Sequence, residues 1–173
     1  MRNDSKWSLY TFIILAGAIV AIRFISVPSR ALSWDVFGYY LYLPATFIYD
    51  DPGLIKTEWL DGVKYEPSPT LYQLVPAVDG NRVIKYTAGM ALLYSPFFFI
   101  AHWIAPLSGY PADGFSLPYQ LIVSFGGLFW IVLGIYAFRR ILLKFFNDQT
   151  TLVILILIIT GTNYFHLAAL DGT

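Results

Sequence analysis

Four apolar runs dominate this chain: Leu9 to Val27, Thr87 to Pro106, Leu117 to Phe138 and Leu152 to Leu170. Each is close to the roughly 20 residues a helix needs to cross a hydrocarbon layer of about 30 Å. Within the first three, Arg23 and His102 are the ionisable residues. A water-soluble fold would have to bury all four runs, and too little sequence remains to cover them. Charged residues are only 13% of 173 positions, against about 25% in an ordinary soluble domain. The pattern predicts an all-α integral membrane fold of three or four transmembrane helices, with one long extracytoplasmic loop, residues 28–86, carrying an amphipathic interfacial helix.

The zero net charge and the lack of a basic patch with interleaved aromatics exclude nucleic acid as a partner. The absence of cysteine removes disulfides and thiolate metal sites. The first run is too long for the apolar part of a signal peptide, and no small-residue cleavage pattern follows it, so it reads as a retained anchor ending at Pro28. In the loop, Trp34, Phe37, Tyr40, Leu41, Leu43 and Phe47 fall largely on one helical face, a composition suited to a membrane interface. Asp50-Asp51-Pro52-Gly53 is a turn, and Lys56 to Val83 is irregular or strand-like. Asn147-Asp148-Gln149-Thr150 supplies capping residues ahead of the last run. The chain stops at the end of an apolar run without a polar tail, which predicts an N-terminal piece of a longer protein.

Orientation raises a conflict. With four spans and a cytoplasmic N-terminus, Arg139, Arg140 and Lys144 would lie outside, against the positive-inside tendency. The favoured resolution is that Thr87 to Pro106, interrupted by Gly89, Pro96 and Pro106, lies along or dips into the interface.

The segment Ser33-Trp34-Asp35-Val36-Phe37-Gly38-Tyr39-Tyr40 holds a carboxylate among aromatic rings directly after the first apolar run. Such a group could act as a base on a substrate at headgroup level, with partial desolvation raising its pKa; it could equally cap the helix that starts there. Arg23 is expected to snorkel to the interface and Arg30 to anchor there or help hold a phosphate. Asp50 and Asp51 read as turn residues, and His102 and His166 are too far apart to suggest a metal site.

An apolar first helix, a long loop opening on an aromatic-flanked acid, a Lys before a Gly/Pro-marked apolar segment and a Gly-rich run ending in Arg-Arg follow in that order. The order resembles the start of the GT-C class of membrane glycosyltransferases, which includes protein O-mannosyltransferases and lipid A aminoarabinose transferases. The resemblance implies transfer of a sugar from a polyprenyl-phosphate donor to an extracytoplasmic acceptor, in a bacterial inner membrane. It implies Asp35 as the catalytic acid/base residue and Lys85, Arg30 and Asp171 as substrate-binding residues. Its partners would be membrane lipid and the lipid-linked sugar donor. It names no cofactor and does not say whether a divalent metal takes part. Tyr86-Thr87-Ala88-Gly89 stands where the family carries Pro-Pro, and Asp35 precedes Val36 rather than a second acid. The alternative is a transporter, a flippase-like subunit or a non-enzymatic membrane protein, although transporters gather ionisable residues within their spans rather than in a loop.

Overall fold

A computed structural model describes residues 6–27, 30–56, 58–61, 71–77 and 80–171. Pro28, at which the first run is expected to end, lies outside them. The chain is mainly helical. Among the described residues, three helices are long and apolar enough to cross a membrane: α1 (Lys6–Ile25), α5 (Gly89–Leu107) and α6 (Leu117–Phe145). The shorter elements are α2 (Trp34–Tyr40), α3 (Tyr42–Phe47), α4 (Glu58–Asp61), β1 (Leu74–Pro76), β2 (Arg82–Ile84), α7 (Asp148–Thr160) and α8 (Tyr164–His166), followed by a π-helical turn, Leu167–Asp171. The elements form two compact units, residues 1–28 with 127–172, and residues 29–126.

In the first unit, α1 packs along α7 through narrow stripes: Ser8, Thr11, Ala16, Ile19 and Arg23 on α1, and Asp148, Thr151, Leu155 and Ile159 on α7. Small residues in such stripes let helices approach closely. The Asp148 carboxylate accepts from the backbone N–H groups of Trp7 (2.9 Å) and Ser8 (3.1 Å), which have no partner inside their own helix. Arg139 Nε donates to Ser8 Oγ at 3.0 Å, and the Phe12 and Tyr136 rings lie 5.7 Å apart. These two pairs make α6 antiparallel to α1. Asn147 caps α7, its Oδ1 accepting from Thr150 N at 2.9 Å, as its position predicts.

Three expectations need correcting in this unit. Arg23 does not snorkel: it is fully buried and donates from Nη2 to the Ala168 carbonyl at 2.8 Å. Arg139, read as one of three basic residues that set orientation, is buried against Ser8, whereas Arg140 and Lys144 are exposed. The run Leu152 to Leu170 is not one straight helix, because α7 and the segment from Tyr164 meet at 70°. The cause lies in Thr160-Gly161-Thr162-Asn163. Both threonine hydroxyls donate to carbonyls four residues back, Ile156 (2.8 Å) and Ile158 (2.7 Å), a contact that bends helices.

In the second unit, the amphipathic segment forms two helices rather than one. Pro44 has no N–H to offer the Tyr40 carbonyl, and the helix breaks between Tyr40 and Tyr42. Its apolar face is turned into the protein: Phe37, Tyr40, Leu41 and Leu43 are buried, with α5 packed against them through Tyr94 and Phe98. Trp34 and Phe47 remain exposed. The strand-like stretch contains an antiparallel hairpin pairing Leu74 with Ile84 and Pro76 with Arg82. Asp51 is a turn residue as expected; its carboxylate accepts from Ile55 N (2.8 Å), Lys56 N (3.0 Å) and Trp59 Nε1 (3.2 Å). The helix α5 runs unbroken through Pro96. The Leu92 carbonyl that Pro96 cannot satisfy accepts from Ser95 Oγ at 2.8 Å.

Candidate functional site

Asp35 is the second residue of α2, exposed at the start of the helix. Two tyrosine hydroxyls converge on one of its oxygens: Tyr86 OH donates to Oδ1 at 2.5 Å and Tyr72 OH at 2.8 Å. The other oxygen, Oδ2, has no hydrogen-bond partner among the described residues. The Tyr86 ring reaches this position across Gly38, one helical turn beyond Asp35. A Cβ on Gly38 would fall inside the ring. Tyr42 OH donates to the Tyr86 carbonyl at 2.6 Å, and the Tyr39 ring lies 4.6 Å from the Tyr86 ring.

The other wall is built by the hairpin. Gln73 is buried and donates from Nε2 to the Trp34 carbonyl at 2.9 Å, while its main-chain carbonyl accepts from Lys85 N at 2.9 Å. Tyr72 and Lys85, which flank this connection, therefore come to the same edge; Lys85 Nζ lies 6.0 Å from the centre of the Tyr72 ring. Trp34 itself adopts φ of 54°, a left-handed conformation that costs a non-glycine residue about 1–2 kcal/mol. Its ring is 56% exposed beside the carboxylate. Such strain persists only where neighbours fix it, and here the Gln73 amide holds the peptide.

The electrostatics reverse the expected direction. The hydrogen bond from Tyr86, and next that from Tyr72, hold the Asp35 carboxyl below its ordinary value, and the group is too exposed for desolvation to offset them. The hydrogen bond to Asp35 pushes the Tyr86 hydroxyl up, so it stays a protonated donor. The site is an ionised carboxylate with one oxygen anchored by two tyrosine hydroxyls, the Tyr72 ring carrying the Lys85 ammonium group 6.0 Å from its centre.

Of the residues singled out in the sequence, Asp35 and Lys85 have Tyr72 as a common neighbour, one bonding its hydroxyl and the other lying beside its ring. Arg30 is exposed in the turn leading to α2; its carbonyl accepts from Ser33 Oγ at 2.6 Å, and its guanidinium makes no hydrogen bond or ion pair among the described residues. Asp171 ends the π-helical turn in the other unit, and its side chain lies outside what the structure describes. His102 bonds through Nδ1 to Tyr119 OH at 2.6 Å and stacks on Phe98, which gives it a packing role. Sequence reasoning missed Tyr72, Tyr86, Gly38 and Gln73. Only the loop's tyrosine density hinted at them, and Tyr86 had been read as a departure from a Pro-Pro pattern.

No family model, curated protein or solved structure matches this chain. Function must therefore be argued from the cluster itself.

Proposed function

We propose that this is an integral membrane glycosyltransferase that moves a sugar from a polyprenyl-phosphate donor to an extracytoplasmic hydroxyl acceptor. The observation that carries this reading is that Asp35, anchored through one oxygen only, and Lys85 share Tyr72 as a neighbour, one at its hydroxyl and the other beside its ring. In this mechanism the acceptor hydroxyl bonds to Asp35 Oδ2 and its oxygen attacks the anomeric carbon. The bond to the donor phosphate breaks with its electron pair staying on phosphate, and Asp35 takes the acceptor proton. Lys85 stabilises the phosphate charge as a compact cation. A carboxylate held at low pKa is a weak base, so proton transfer comes late, once the acceptor oxygen has begun to bond to carbon and become acidic. The membrane setting is supported by the exposed apolar surface of α1, α6 and α7, which a hydrocarbon solvent would match.

The test is Asp35→Asn in membranes from cells making the full protein, with transfer of radiolabelled sugar from polyprenyl-phosphate carriers as the readout. Loss of general-base action lowers the rate about 10²–10⁴-fold. Turnover within a few-fold of the parent would remove Asp35 from the mechanism. A transporter is the second reading, favoured by the buried Arg23 and the 70° break after α7, because transporters use buried charges and broken helices. It expects Arg23→Met, and not Asp35→Asn, to be the variant that abolishes function.

A further inference from the structure

We infer that α5 sits in the membrane without crossing it, both of its ends lying on the face where α1 ends and α6 begins. The first argument is parity. The contacts of Ser8 with Arg139 and of Phe12 with Tyr136 make α1 and α6 antiparallel. If both span, the chain leaves α1 and enters α6 on the same face. An even number of crossings must then lie between them. Among the described residues, α5 is the one intervening helix long and apolar enough to cross, and nine further residues, 62–70, are too few for a second.

The second observation is what holds α5. His102, five residues before its C-terminus, bonds to Tyr119 in the first turn of α6, and Tyr86, ahead of its N-terminus, bonds to Asp35 at the start of α2. The helix is thus held by the loop helix α2 and by the first turns of α6.

The third observation is the surface of α5. Ala91, Tyr94, Phe98, Ala101 and Ala105 are buried, while Leu92 (74% exposed), Pro96, Phe99 and Trp103 (71%) form an uncharged apolar stripe on the other side. The occupant that continues the surroundings of α1 and α6 is lipid hydrocarbon, and the stripe rests in the leaflet nearer the loop.

Single cysteines at Thr87, Ser108 and Gln149 test this, since the protein has no native cysteine. An impermeant maleimide applied to intact cells should label Thr87→Cys and Ser108→Cys alike, and Gln149→Cys only after lysis. Different labelling at Thr87 and Ser108 would mean that α5 crosses. The same labelling at all three would deny the antiparallel spans; either outcome overturns the inference. A spin label at Phe99 should be relaxed by oxygen more than by a nickel chelate. The reverse, or shielding from both, would put water or a second protein surface on the stripe and overturn its lipid contact. Neither failure bears on Asp35, whose role is decided by sugar transfer.

Discussion

Asp35 is held by donors rather than by a counter-ion, and that gives its titration a defined sign. Its carboxyl lies below the ordinary value because Tyr86, then Tyr72, hydrogen-bond the ionised form. The pair therefore adds stability above the carboxyl's unfolded pKa and loses it as pH falls through the lower folded value. Tyr86→Phe removes the larger contribution and lets the carboxyl rise. The acid limb of the pH–rate profile should move to higher pH, with the rate on the neutral plateau changing less than in Asp35→Asn. An acid limb that stays in place would show that Tyr86 does not set the charge of Asp35. The carboxylate itself was legible in the sequence, as an acid among aromatics after an apolar run. The direction of its shift was not, because the donors come from positions 37 and 51 residues away, brought in by a hairpin.

Helix α2 owes its use as a platform to one missing atom. Gly38 is where the Tyr86 ring crosses the helix, and a methyl group there collides with the ring. Gly38→Ala should cost about 1–3 kcal/mol as overpacking, read as a lower Tm in detergent. It should also move the acid limb in the same direction as Tyr86→Phe, because the displaced ring leaves Asp35. A drop in Tm with no change in the limb would detach the glycine from the site. Long elements with one composition were readable: three of the four apolar runs are continuous helices over most of their expected length. The breaks were harder. Pro96 looked like an interruption and is not one, since Ser95 takes the carbonyl it frees. Thr160 to Asn163 looked like ordinary span sequence and carries a 70° bend. In both places a hydroxyl bonding to a carbonyl decided the outcome, and hydrophobicity does not record that.

For the molecule as a whole, the first unit is fastened at both ends of α1 by residues distant in sequence. At one end Asp148 takes the first free N–H groups of the helix. Asp148→Ala should cost about 1–2 kcal/mol, as loss of a capping carboxylate does. Thermal unfolding in detergent would measure it, and an unchanged midpoint would mean that Arg139 and Ser8 suffice to hold that end. The sequence pointed to Asp148 only as part of a polar connection. Its reach across to α1 depends on a helix order that composition does not encode. Of the three basic residues near it, Arg139 is buried against Ser8 while Arg140 and Lys144 are exposed, a difference that charge counting does not reveal.

The other fastening, Arg23 to the Ala168 carbonyl, joins residues 145 positions apart. At about 5–20 residues synthesised per second, the Ala168 carbonyl is made roughly 7–30 s after Arg23. This junction therefore belongs to the late steps of folding, and the register of α1 in its unit is locked only after a long stretch of chain has been made.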